Sequence, residues 1–191
     1  MRKTLVVLFL LAVAITALAQ KNSVPPPPKP EDNGPSLEVT MKFIEDKLNG
    51  IGLLNFAVYI HDDTKEVDRA IFKNTISNVV ADAVACRVSD HWKSEQNGKV
   101  AAEFDVSFLL KAANDIEVMT IEQALKEIDT AAGHPAWTYR SDPPAFILKV
   151  RQKDKSVNSF EFYDEDLANR VAKALIHAVE LCGGGSELEP F

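Results

Sequence analysis

Two cysteines, Cys86 and Cys182, and four histidines, at positions 61, 91, 134 and 177, are the residues of this 191-residue chain best equipped for thiol or metal chemistry. A redox pair calls for CxxC and a zinc site for several Cys or His at short spacing, and neither pattern is present. Cys86 alternates with Val84 and Val88, and Cys182 ends an apolar helical stripe, so both point toward a core. They are predicted to form one disulfide, with two buried free thiols as the alternative. Such a bridge closes most of the domain and contributes ~4–5 kcal/mol on chain-entropy grounds. The run His61-Asp62-Asp63 has ligand-type side chains, but neighbours at a strand end point in different directions, and it reads as a solvated turn. His91 reads as a strand-surface residue, and His177 lies with Arg170 and Lys173 on the polar side of its helix. No metal and no cofactor are expected. Glu103 and Asp105 share a strand face at a separation suited to acid–base work, yet among 28 acidic residues such pairs arise by composition. No GxSxG context marks a nucleophilic serine.

Recognition chemistry is better represented. "GHPAWTYRSDPP", Gly133 to Pro144, reads as a proline-bounded loop that brings His134, Trp137, Tyr139 and Arg140 together. Trp, Tyr and Arg dominate binding hot spots because they combine large flat faces with directed polar groups. The alternative is that Trp137 folds back over one end of a sheet as a hydrophobic anchor. Lys149, Arg151, Lys153 and Lys155 alternate along a later segment and could form a basic stripe for an acidic headgroup or carboxylate, or simply the wet face of a sheet.

The elements that must position these residues follow from periodicity. Ser36 reads as an N-cap, and Leu37, Met41, Ile44 and Leu48 recur at helical spacing up to an Asn49-Gly50 stop. From Leu53 the period drops to two, with strands expected at Leu53–Ile60, Arg69–Ser77, Val84–Trp92, Val100–Leu110 and Ile116–Glu122. Gln96-Asn97-Gly98 is a hairpin turn. Beyond the Gly133–Pro144 loop, Phe146, Leu148 and Val150 pair with Phe160 and Phe162 across a polar tip. The last helix is capped by Asp164, carries Glu165 and Asp166 in its first turn, buries Leu167, Val171, Ala174, Leu175 and Ala178, and ends at Gly183.

Helix, about seven mostly antiparallel strands, helix is an α+β pattern. From Leu53 to Gly184 it resembles the pleckstrin-homology-like and GRAM-like arrangement, most clearly where "FEFYDEDLANRVAKALIHAVELCGG" runs a last strand straight into an amphipathic helix. The helix from Ser36 to Leu48 is additional to that arrangement. The chain is also similar to small exported bacterial proteins. The resemblance implies a sandwich or barrel that binds peptides, proteins or lipid headgroups and rarely catalyses.

Residues 1–19 carry Arg2 and Lys3, the apolar run "LVVLFLLAVAI" and the small pair Ala17-x-Ala19. This is the three-part pattern of a secretory signal, cleaved between Ala19 and Gln20, and it is shorter than the ~20 apolar residues of a membrane anchor. Periplasmic or secreted localisation follows. Residues 20–35 read as a proline-rich linker, a stiff spacer or a ligand for a proline-recognising partner. The domain is expected over 36–184 and a flexible tail over 185–191. The net charge of −7 becomes more acidic when Arg2 and Lys3 are removed, which is a poor match for nucleic acid. The expected function is a monomeric, non-catalytic binding domain for a protein, peptide or envelope component. A small hydrolase whose site assembles only in three dimensions and a carrier of an apolar or lipid-like ligand are the alternatives.

Overall fold

In the computed structural model, which describes residues 34–62, 65–132 and 137–184, the chain is an α+β sandwich of eight strands between terminal helices. Residues 1–33, on which the signal reading and most of the linker reading fall, Asp63, His134 and residues 185–191, read as a tail, lie outside the described residues. Helix α1 (Leu37–Asn49) starts where the Ser36 hydroxyl accepts from the Val39 amide and buries Met41, Ile44 and Leu48. A meander follows: β1 (Leu53–Asp62), β2 (Lys65–Asp82), β3 (Arg87–Gln96) and β4 (Lys99–Leu109). Asn97 and Gly98 both take positive φ in the β3–β4 hairpin, as a tight turn matching strand twist requires.

After a single 3-10 turn at Leu110–Ala112 come β5 (Ala113–Thr120), helix α2 (Ile121–Ala132), β6 (Trp137–Asp142), β7 (Phe146–Gln152), β8 (Val157–Phe162) and α3 (Glu165–Leu181). The larger sheet has the order β4-β3-β2-β1-β6, the smaller β5-β7-β8, and every ladder is antiparallel. The final hairpin pairs Phe146 with Phe162 and Leu148 with Phe160, the expected register. The Asp164 carboxylate caps α3 by accepting from Leu167 N at 3.1 Å.

Three expectations change. The strand expected at Ile116–Glu122 ends at Thr120, and Ile121–Ala132 is helical. Ile121, Ala124, Leu125 and Ile128 recur at i, i+3, i+4 and i+7, and Thr120 and Gln123 cap each other reciprocally, 3.2 Å from the Gln123 amide to Thr120 Oγ1 and 2.9 Å from the Thr120 amide to Gln123 Oε1. Part of the expected Gly133–Pro144 loop is strand β6, because the open edge of β1 offers its backbone groups a partner. Val84–Cys86 is a tight turn and not the start of a strand: Asp82 Oδ1 accepts from the Val84 and Ala85 amides at 2.9 Å each, Cys86 has φ 49°, and Val84 is exposed.

Cys86 nevertheless bridges Cys182, with Cα atoms 5.9 Å apart, so the β2–β3 turn is tied to the end of α3. Gly183 turns the chain at positive φ, and a Cβ on Gly184 would meet Lys111 Cα at 2.9 Å, so the chain after the bridge packs directly on the 3-10 turn. The main core lies at this end: α1 and α3 cover Ile76, Val79, Val88, Phe108, Leu148, Val150, Phe160 and Phe162. The long β2 reaches it through a bulge at Asn78–Val79, where the Asn49 side chain bonds both Val79 backbone groups at 2.9 and 3.0 Å. A smaller core gathers Leu54, Phe56, Val58, Ile121 and Ala145 under α2.

Candidate binding cleft

The recognition residues expected in one loop are divided by strand alternation. Trp137 and Tyr139 fall on one face of β6, where Tyr139 packs on the smaller core, and Arg140 falls on the other. There its guanidinium lies 4.4 Å from the Tyr59 ring centroid, with Arg69 at 5.2 Å from the same ring. The Trp137 carbonyl accepts from Lys126 Nζ at 2.9 Å. His134 is outside the described residues.

The basic residues of the last hairpin are also separated. Lys149 Nζ sits 2.6 Å from Glu127 Oε2, and the Arg151 guanidinium bonds Asp115 at 2.6 Å and also Glu117. The Asp115 bond holds the Arg151 pKa above its usual value. Lys153 and Lys155 lie beyond, exposed in the β7–β8 turn. The stripe thus begins as a set of intramolecular ion pairs. Glu103 and Asp105 likewise converge on one partner, His91, at 3.4 and 2.8 Å on the outer face of the large sheet, and the Asp105 bond raises the His91 pKa. His177 Nε2 lies 2.9 Å from the Pro35 carbonyl. Among the described residues no group of three His, Cys, Asp or Glu side chains converges as a metal site would.

What alternation along β3 does bring together is a row of Val88, Asp90, Trp92 and Ser94 on the inner face. Val88 is sealed in the main core, but the next positions open into a cleft of about 580 Å³ between β3–β4 and the β7–β8 hairpin. Trp92 and its cross-strand neighbour Phe104 have ring centroids 5.2 Å apart on one wall, and Phe104 is half exposed. Phe108 and Phe160, 6.2 Å apart, line it further in.

Two polar atoms of residues lining this cleft have no hydrogen-bond partner among the described residues. Asp90 is only 6% exposed and its Oδ2 accepts no hydrogen bond; Gln152 is 7% exposed and its Nε2 donates none. Buried polar groups are nearly always satisfied, since an unpaired one costs on the order of 1–3 kcal/mol. Burial pushes the Asp90 carboxyl up to about 6, with Asp105 adding to the shift and His91 opposing it. A desolvated carboxyl beside a concave aromatic hollow marks a candidate ligand site.

Trp92 also lines a second hollow, of about 220 Å³, beneath α2. There Glu161 accepts from Asn74 Nδ2 at 3.0 Å, and Ser94 Oγ donates to Asn74 Oδ1 at 2.6 Å. Burial raises the Glu161 pKa, while bonds from Asn74 and Trp92 oppose the rise. This network is connected, unlike Asp90. A further hollow, of about 780 Å³, is a trough between α2 and β5 whose Glu117 and Glu127 are engaged by Arg151 and Lys149.

Sequence reasoning passed over Asp90 because polar residues are unremarkable in a strand with one wet face. The available signal was its phase: it shares a face with Val88 and Trp92 while Ser89, His91 and Lys93 share the other. Compared with protein-family models, with curated proteins and with solved structures, the chain matches none of them.

Proposed function

We propose that this protein is an exported binding domain that holds its ligand in the cleft between β3–β4 and the β7–β8 hairpin and carries out no reaction on it. The observation that carries the reading is the buried Asp90 Oδ2, without a hydrogen bond among the described residues, beside an aromatic cleft of about 580 Å³. That volume suits a small ligand or a single large side chain. Export rests on the pattern of residues 1–19, and the acidic composition argues for a partner other than nucleic acid. The resemblance to pleckstrin-homology-like domains points in the same direction.

The rival readings have weaker support. A hydrolase working with two carboxyls would want both free and open to one space, whereas Glu161 lines a different hollow, Asp105 is paired with His91 on the outer face and Asp154 is engaged by Ser156. A carrier of a lipid-like ligand would use the apolar hollow under α2, whose volume of about 220 Å³ is small for a lipid chain.

The test is a fragment screen read by the indole N–H resonance of Trp92, assigned with a Trp137→Phe variant because the chain has only these two tryptophans. Fragments that shift the Trp92 signal saturably, and lose that effect in Phe104→Ala, support the reading. Binders that leave Trp92 unmoved and are indifferent to Phe104→Ala would place the ligand elsewhere and overturn it.

A further inference from the structure

The charge around the cleft narrows the class of ligand. Of its lining residues Asp90 and Asp154 are acidic, while Asp105 turns its carboxylate to His91 on the outer face, and no lysine, arginine or histidine is among the described residues that line it. Asp105 is engaged by His91 and Asp154 by Ser156, but Asp90 Oδ2 is not engaged at all. An ionised carboxylate held out of water is strongly destabilised unless a cation or several donors replace its hydration. A neutral ligand would leave that charge uncompensated.

The other cleft residues agree. The Trp92–Phe104 pair presents aromatic surface to the same space, and the face of a tryptophan ring attracts an organic cation by its quadrupole. Gln152 Nε2 stands in the same cleft as a donor without a partner among the described residues, so an acceptor on the body of the ligand would satisfy it. A carboxylate beside an aromatic pair is matched to a positive head on an apolar body.

Resting on the reading of the cleft as the ligand site, we infer that it takes a small amphipathic organic cation, an ammonium, amidinium or guanidinium whose head meets the Asp90 carboxylate and whose body lies on the Trp92–Phe104 pair. Binding then favours ionised Asp90, so affinity rises with pH as that carboxyl titrates. The charged groups about Asp90 are His91 on the neighbouring position of β3, Asp105 on β4 and Asp154 in the β7–β8 turn. All enter the cation's field in the same sense except His91, which is already paired with Asp105 and Glu103.

The experiment uses the full mature chain with benzamidine as probe and benzamide as its neutral counterpart of nearly equal shape, read by the Trp92 indole resonance. Benzamidine is expected to bind at least about tenfold more tightly than benzamide at pH 7.5, a difference of about 1.4 kcal/mol. Its affinity should fall between pH 7.5 and pH 5, and Asp90→Asn should remove both the preference and the pH dependence. Phe104→Ala, at a half-exposed position, should weaken both probes alike and serves if Asp90→Asn fails to fold. Equal binding of the two probes at Trp92, or a cation preference unchanged in Asp90→Asn, would overturn the cationic assignment while leaving the cleft as a binding site. If neither probe moved the Trp92 resonance, both the assignment and the cleft reading would fall.

Discussion

Two ends of the same sheet are built on opposite principles. At the α1–α3 end, Val88 on β3 and Phe108 on β4 face each other and are buried under two helices, with the disulfide fastening the turn beside them. A few residues along the same strands and the same face, Asp90 and Trp92 meet Val106 and Phe104 across the ladder, and a cleft stands where helices would otherwise pack. The first end is mainly apolar, although Thr40 Oγ1 is buried there without a hydrogen bond among the described residues; the second retains a desolvated carboxyl. Proteins keep such defects where stability has been given up for recognition, and this contrast separates scaffold from site.

The contrast can be broken most strongly at the bridge. Replacing both Cys86 and Cys182 with Ala should lower stability by about 4 kcal/mol, given the sequence separation of 96 residues, measured by urea denaturation. The cleft should keep its ligand response below the unfolding transition, because Trp92 and Phe104 lie several ladder positions along β3 and β4 from the bridged turn. Next in size, Leu175→Ala removes a fully buried side chain of α3 and should cost about 2–5 kcal/mol. Phe104→Ala, half exposed at the cleft, should cost far less in the same assay while removing the response of Trp92.

The smallest effect has the opposite sign. Burial pushes the Asp90 pKa up to about 6 in the folded protein from the ordinary aspartate value of 3.8, so its stabilising contribution is full below about 4 and is lost as pH rises through 6. Asp90→Asn should therefore match the parent near pH 3.5 and exceed it at pH 7. Discounted for water in the open cleft, the gain is about 1–2 kcal/mol. Urea titrations at pH 3.5, 5 and 7 check the crossover; an Asn variant less stable at pH 7 would mean that Asp90 is structural after all.

Much of the scaffold was legible in local pattern. The Ser36 cap and the Met41, Ile44, Leu48 stripe, the Asn97-Gly98 turn, the pairing of Phe146 with Phe162 and the Asp164 cap all stand where periodicity and capping chemistry put them. Helix α2 was missed although Thr120 and Gln123 form a capping box, because the β-branched run before it obscured the change of period at Ile121. Strand β6 was missed because edge pairing with β1 is a long-range choice that its six residues do not announce.

By itself the sequence determined the α+β class, the two end helices and the pairing of its two cysteines, since these depend on period, capping and the small number of ways two thiols can be used. Tertiary structure alone decided that Trp137 and Arg140 part company, that Lys149 and Arg151 are consumed by Glu127, Asp115 and Glu117, and that Asp90 stands unpartnered in a cleft. The physical reason is that burial and charge compensation belong to the space around a side chain. That space is enclosed by segments far apart in the chain, here β3, β4 and the β7–β8 hairpin.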